Sequence, residues 1–299
     1  MATNTYVAVG NRQDISDIIT NISPSDTPLY SRIGRTRATA VTHEWLEDTL
    51  GTPGPNAQNE GYTYFTMDVN PRTLLNNYTQ IMHRGIHVTD TQEVVLKHGV
   101  RKETAYQMAK TLKELAFDCE QALITQNTKI LGGMPPLPAR QFGGLPYWIV
   151  TNIFNNNGIL RPLTFDLINT ALEQTWIGGG KPSILLVSPR NKRVISTFTA
   201  GNIKYMEGNK TRRLTQMISV LETDFGTLQC ITDRFMPTDN RDIYGLSPEY
   251  IKKAFLRNFK TGDVPKINDM GRRIVNGEWT LEMRAEKAHF KIEDLDGVV

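Results

Sequence analysis

"KETAYQMAKTLKELAFDCEQALITQ", residues 102–126, repeats apolar side chains at three- and four-residue spacing: Ala105, Met108, Ala109, Leu112, Leu115, Ala116, Cys119, Ala122 and Leu123. That spacing is one stripe of an α-helix, and 25 residues at 1.5 Å each make about seven turns. Lys102, Lys110, Lys113, Glu114 and Glu120 fill the opposite side. "GGMPPLP" at 132–138 is a hard stop, because proline supplies no amide donor and clashes with the preceding turn. A helix this long with a single apolar face needs a surface to lie along.

Upstream, residues 39–83 read as a long β-hairpin. In "TAVTHEWLEDTL" (39–50), Val41, His43 and Trp45 point one way and Thr42, Glu44 and Leu46 the other. "GTPGPN" at 51–56 breaks the alternation, and the tip continues to Gly61. "YTYFTMDV" at 62–69 alternates again, placing Phe65, Met67 and Val69 on one face, and Pro71 ends clean ladder pairing. Residues 1–38 form an arm in which "SPSDTPLYSRIG" supplies turn residues before a small anchor of Leu29, Tyr30 and Ile33. Neither segment has apolar residues enough for a core, and a lone two-stranded ribbon is marginal in water.

Downstream, residues 145–245 alternate element types. Thr164 caps a helix to Trp176 with Leu167, Ile168, Ala171 and Leu172 inside, and Gly178 to Gly180 end it. "SILLVS" (183–188) is a buried strand, and Ser188 followed by Pro189 opens a helix to about Phe198. "AGNIKYMEGNKTRR" (200–213) is a loop, and 217–237 holds two strands joined near Asp224, Phe225 and Gly226. "EWTLEMR" (278–284) alternates with Trp279, Leu281 and Met283 inward and Glu278, Thr280, Glu282 and Arg284 outward. The apolar phase then flips to Ala288, Phe290 and Ile292, which predicts a bulge or bend.

The totals exclude several classes. A formal net charge of +3, from 34 basic and 31 acidic residues, is too mild to imply a nucleic-acid binder by itself. Cys119 and Cys230 have no C-x-x-C spacing, so they are read as buried thiols in a reducing compartment rather than a disulfide or zinc framework. The N-terminus lacks a basic start and an apolar run, and no stretch of about 18 apolar residues occurs, so no signal peptide or membrane span is expected. The sequons at Asn21, Asn77 and Asn209 therefore carry no weight.

Motif-like stretches reduce to structure on the same grounds. "GGGK" (178–181) has Thr175 and Pro182 where a phosphate loop needs glycine and Ser or Thr, so it is a helix stop. "DFG" (224–226) has no H-R-D loop or glycine-rich loop before it and is a hairpin turn. "PPLPAR" (135–140) fits a proline-motif ligand but serves equally as a stiff linker. His43, His83, His87, His98 and His289 show no metal pairing, and "HRGIHV" reads as a turn running into a strand. No cofactor or metal is expected.

A hydrolase built on Glu44, Glu47 or Asp48 would need a concave pocket to tune those carboxylates. A strand leading into a hairpin tip offers none, so Glu44 and Asp48 are preferred as charge partners for a second subunit. Lys204, Lys210, Arg212, Arg213, Lys252, Lys253, Arg257, Lys260, Arg272 and Arg273 are scattered, as solvated positions or non-specific phosphate contacts would be.

The order of segments resembles the major capsid protein of tailed bacteriophages with the Hong Kong 97-like fold, and more narrowly the SU-ten-type major head protein group. The resemblance rests on "ISPSDTPLYSRIGRTRATAVTHEWLEDTL" (22–50), "SPRNKRVISTF" (188–198) and "ETDFGTLQCITDRFMP" (222–237). It extends through "AFLRNFKTGD" (254–263) and "EWTLEMRAEKAHFKI" (278–292), and so covers nearly the whole chain.

The resemblance implies an α+β fold with an N-terminal arm (1–38), an extended E-loop (39–90) and a peripheral domain with its spine helix (91–145). An axial domain (146–245) and C-terminal peripheral strands (246–299) follow. It implies a non-enzymatic shell protein that forms pentamers and hexamers of an icosahedral head around double-stranded DNA, assembled in the host bacterial cytoplasm. Scaffolding, portal and decoration proteins are further partners it admits, and no membrane is involved. Trp45, Glu44, Asp48, Tyr62, Phe65, Leu29 and Tyr30 become inter-subunit contact candidates. Lys204, Lys210, Arg212 and Arg213 become candidates for the loop at the capsomer centre. The arm-like motif starts almost at Met1, so any scaffold is expected to be a separate protein, and a Lys–Asn cross-link is not assigned. An encapsulin-like compartment shares the fold and is the nearest alternative.

Overall fold

The computed structural model describes residues 27–51, 53–55, 57–61, 71–96, 99–198, 220–236, 241–266 and 268–297. The chain begins with a short helix, α1 (Pro28–Arg32), and a strand, β1 (Gly34–Arg37). Strands β2 (Thr42–Glu47) and β3 (Thr73–Tyr78) form an antiparallel ribbon with Trp45 opposite Leu75. β4 (Gln80–Thr89) and one turn, α2 (Asp90–Val94), lead into the long helix α3 (Glu103–Thr125). Then come α4 (Leu145–Trp148), β5 (Ile153–Phe154), α5 (Phe165–Ile177), β6 (Ile184–Val187) and α6 (Pro189–Thr197). β7 (Val220–Thr223), β8 (Gly226–Thr232) and β9 (Ile243–Leu246) precede two long strands, β10 (Ile251–Val264) and β11 (Met270–Met283), and the short β12 (Phe290–Ile292).

Local signals set the helix ends. Thr164 Oγ1 accepts from the Leu167 amide at 3.2 Å and Ser188 Oγ from the Asn191 amide at 3.3 Å, each satisfying an otherwise unpaired donor of a first turn. After α5, Gly179 takes φ +87°, and the Gly180 amide donates back to Thr175 O at 2.9 Å. This left-handed closure is the role expected of "GGGK". Asp224 and Phe225 turn the chain between β7 and β8, as the hairpin reading of "DFG" required.

Among the described residues the strands form the ribbon and two larger sheets. One runs β1-β10-β11-β4, the other β5-β12-β9-β6-β8-β7. The six-stranded sheet has a core on each face. Ile184 and Leu186 join Tyr244, Leu246 and Ile231 in the core shared with α3, α4 and β11. Leu185 and Val187 point the other way, toward Ile168, Leu172 and Ile195 of α5 and α6. Two-sided burial is why "SILLVS" is apolar without alternation.

Gly245 makes room for this packing. A Cβ there would stand 2.0 Å from the Phe290 ring. Gly245→Ala is therefore expected to cost about 1–3 kcal/mol through overpacking. The urea midpoint reads the loss, and an unchanged midpoint would refute this packing.

Several expectations change. The return strand of the ribbon is β3, beyond Pro71, while the stretch 62–69 with Phe65, Met67 and Val69 lies outside the described residues. β4 leaves the ribbon for the four-stranded sheet, so 39–90 is not one hairpin. His83 and His87 both sit on β4, opposite Asn276 and Arg272, with no turn before them.

Along α3, Leu115, Cys119, Ala122 and Leu123 are buried as expected, together with Glu120 and Ile124. Ala105, Ala109 and Leu112 stay exposed, and in the first half of that stripe Met108 reaches the core as a partly buried side chain. On β11, Glu278, Thr280 and Glu282 are buried as deeply as Trp279, Leu281 and Met283. The ribbon root covers that second face.

The phase flip after Ala285 is a 3-10 turn at Glu286–Ala288 where the chain passes from one sheet to the other. The stretch 246–299 is thus divided: β10 and β11 belong to the four-stranded sheet and β12 to the six-stranded one. The β-bulges lie in β10, around Arg257.

Candidate assembly site

Two segments without cores of their own, the arm and the ribbon, are fixed to the body by buried polar groups. At the ribbon root, the Asn77 side-chain amide donates to Leu281 O (2.8 Å) and Gly143 O (3.1 Å). Its oxygen accepts from the Gly143 amide (2.9 Å) and the Tyr78 amide (3.0 Å), so the fully buried group is satisfied. The Asn77 sequon is inert for the same reason.

Thr79 donates to Glu278 Oε1 at 2.7 Å, and Arg140 and Arg257 also reach this carboxylate. Trp45 packs on Trp148, ring centroids 5.1 Å apart. Lys129 donates to Asn76 O and Oδ1 beneath the rings of Tyr78, Tyr147 and Trp148. This ties the exit of α3 to the ribbon.

The acidic stretch at this root does not converge. His43 Nε2 lies 2.9 Å from Glu282 Oε2. Burial opposes ionisation of Glu282, yet hydrogen bonds from His43 and Arg284 hold its carboxyl below the usual range. Glu44 is exposed. Glu47 is partly buried near Glu286, and burial together with that like charge pushes its carboxyl up. Asp48 accepts from the Thr49 amide and pairs with Arg72 at 3.4 Å in solvent, a geometry worth little. Among the described residues no group of three His, Cys, Asp or Glu could hold a metal ion, and no helix is long and apolar enough to cross a membrane. His289 is a core residue: its Nδ1 accepts from the Ser247 amide, and burial pulls its pKa down to about 3.

The arm is latched differently. Glu120, fully buried on α3, accepts from the Leu29 amide through Oε1 (2.7 Å) and the Tyr30 amide through Oε2 (2.6 Å). Asp233, also fully buried, follows β8 and hydrogen-bonds the same carboxyl. Burial first, and then Asp233, push the Glu120 carboxyl up to about 8, which favours its protonated form at neutral pH. Asp233 Oδ1 accepts from the Phe235 amide at 2.8 Å, and its Oδ2 is buried with no hydrogen-bond partner among the described residues. Lys253 of β10 donates to Tyr30 O and lies 3.9 Å above the Tyr30 ring. Burial, and then Arg35, lower its pKa to about 8.

The contact candidates therefore divide. Leu29 and Trp45 are covered by their own chain and anchor the arm and the ribbon internally, so neither is available to a neighbour. Tyr30 is partly buried on the same core, edge-on to Trp279 at 5.6 Å. Glu44 is exposed, and Asp48 is exposed while paired with Arg72 in solvent. Tyr62, Phe65, Lys204, Lys210, Arg212 and Arg213 lie outside the described residues.

Sequence reasoning missed Leu46 and Leu74 as a pair. They face each other across the ribbon and are 60% and 56% exposed. It also missed Glu120, whose position between Ala116 and Leu123 beside the apolar stripe was the available signal.

A latched arm, a ribbon anchored at its root with apolar side chains on its outer face, a long helix and two sheets with a shared core define a shell subunit of the Hong Kong 97-like type. The capsid asymmetric unit of cyanophage A-1(L) matches with a TM-score of 0.71 over 98% of each chain at 12% identity. The holo-SrpI encapsulin complex of Synechococcus elongatus PCC 7942 matches at 0.64 over 100% of this chain and 98% of that one, at 11% identity. A family model described as SU10 major capsid protein matches residues 2–296, and the chain belongs to that family. The major capsid protein of Escherichia phage Phieco32 is 22% identical over 334 residues, covering 95% of this chain and 92% of the relative. The protein is thus a structural component of the virion capsid of a tailed phage and not an enzyme.

Proposed function

We infer that copies of this chain associate head-to-tail into pentamers and hexamers that close an icosahedral head around double-stranded DNA. The observation that carries this reading is the ribbon. Its root is buried and held by the Asn77 and Thr79 hydrogen bonds, while Leu46 and Leu74, opposite each other farther out, are more than half exposed in the single chain. Head-to-tail contacts close into rings when the rotation permits, and a second copy removes that apolar area from water. Glu44 and Asp48 at the rim select register. Assembly takes place in the host bacterial cytoplasm, with scaffolding, portal and decoration proteins as further partners.

Negative-stain microscopy of the purified protein tests the reading, with closed shells expected. A monomer that persists under every assembly condition would sink it. Nuclease-resistant DNA inside the particles separates a phage head from an encapsulin-like compartment carrying protein cargo.

A further inference from the structure

A groove of about 760 Å³ opens at the free edge of the four-stranded sheet, where β1 lies along β10. Its lining holds four cations, Arg35, Arg37, Arg257 and Lys260, with the amides of Asn258 and Asn276, and no carboxylate. The register of β10 slips on both sides of Arg257 here, so the strand bows at this wall.

Two of the guanidinium groups are held in place. Arg35 lies 4.5 Å over the Phe255 ring and donates to Asn258 Oδ1 at 3.2 Å. Arg257 donates to Glu278 at 3.0 Å. That carboxylate already takes Arg140 and Thr79, so it leaves the charge of the groove largely uncancelled. Arg37 and Lys260 have no carboxylate partner among the described residues.

Four cations around one groove, in a chain whose net charge is only +3, are a local feature and not a by-product of composition. Like charges gathered this closely are unfavourable in the isolated subunit and become favourable around an anion. Fixed guanidinium forks beside amide donors match the paired oxygens of phosphate. We propose that this groove seats successive phosphodiester groups of nucleic acid and is a point where the shell holds its contents. The inference rests on the reading of a DNA-filled head.

The test is anisotropy of a labelled mixed-sequence duplex of about 20 base pairs with the full-length subunit, at low and near-physiological salt. Arg37→Glu with Lys260→Glu is expected to weaken binding at least about tenfold and to lower the salt slope by about 2. Arg37→Lys with Lys260→Arg should retain binding. Lys113→Glu with Lys181→Glu makes the same change of charge at exposed sites elsewhere and should stay within about twofold.

Equal weakening by the groove pair and the distant pair would overturn the proposal, as would a wild-type subunit that does not bind duplex. Loss of poly-glutamate binding with duplex binding intact would also overturn it, by assigning the groove to an acidic protein segment. Shells that form and protect DNA while the groove pair binds duplex normally would remove the groove and leave the head intact. Absence of shells from the wild-type chain would instead remove the head.

Discussion

Removing residues 52–60 is expected to abolish closed shells while leaving a folded subunit. The fixed part of the ribbon survives this deletion. Trp45 on Trp148, the Asn77 bonds to Gly143 and Leu281, and Thr79 on Glu278 all lie outside the removed segment. Among the described residues neither larger core uses one between 46 and 74, so urea and thermal midpoints should match those of the full-length chain. What is lost is reach toward a neighbour, and with it part of an interface that needs roughly 1,600 Å² to hold. Sedimentation velocity and microscopy read the two outcomes together. Normal shells from the deleted chain would refute the assignment of this segment as the inter-subunit arm.

The second large effect sits at Glu120. Glu120→Ala strips the acceptors from the Leu29 and Tyr30 amides, and each buried donor left unpaired costs roughly 1–3 kcal/mol. A total loss of about 2–6 kcal/mol is expected in the urea midpoint, with faster amide exchange at residues 27–33.

Glu120→Gln keeps an acceptor and removes the titration, which exposes the sign of the pH effect. The folded pKa is raised from 4.5 to about 8, so between these values the folded state keeps a proton that the unfolded chain has lost. The stabilisation is complete below pH 4.5, shrinks as pH rises and is gone above about 8. His289 titrates in both proteins and cancels in the difference; Lys253, whose pKa the Glu120 charge helps to raise, does not cancel, and its residual is confined to the region near pH 8. Stability of the wild type minus that of the Gln variant should therefore fall from pH 4.5 to about 8 and then level off. A flat difference would mean that no proton is held at the latch.

What was legible in the chain was local. The α3 stripe, the Thr164 and Ser188 caps, the glycine stop after α5 and the turn at Asp224 and Phe225 all depend on neighbours within a few residues. What was illegible depended on segments far apart in sequence. Glu278, Thr280 and Glu282 read as solvent-facing because strict alternation marks one wet face; the ribbon root, some 200 residues earlier, dries it. Leu29 and Trp45 read as contacts for a neighbour because their segments lack cores, yet their own body supplies the core.

The candidate site was half visible. The outgoing strand of the ribbon and its acidic rim were legible, whereas the return strand beyond Pro71 was not. The latch required Glu120, Asp233 and Lys253 to meet from three distant stretches, and the groove required Arg35 and Arg37 to lie along β10. No spacing rule encodes such meetings.

The placement of the ribbon root has a mechanical consequence. Asn77 and Thr79 grip β11, and β11 is laddered on one side to β10 and on the other to β4. A pull delivered through the ribbon along the strand direction loads both ladders in shear, so many hydrogen bonds share the force at once and none is peeled alone. The front of β11 also packs into the core that holds Ile184 and Tyr244, so the strand contacts both sheets. The ribbon is thus tied to a central strand and not to an edge, so a pull on it meets two ladders before any strand can peel away.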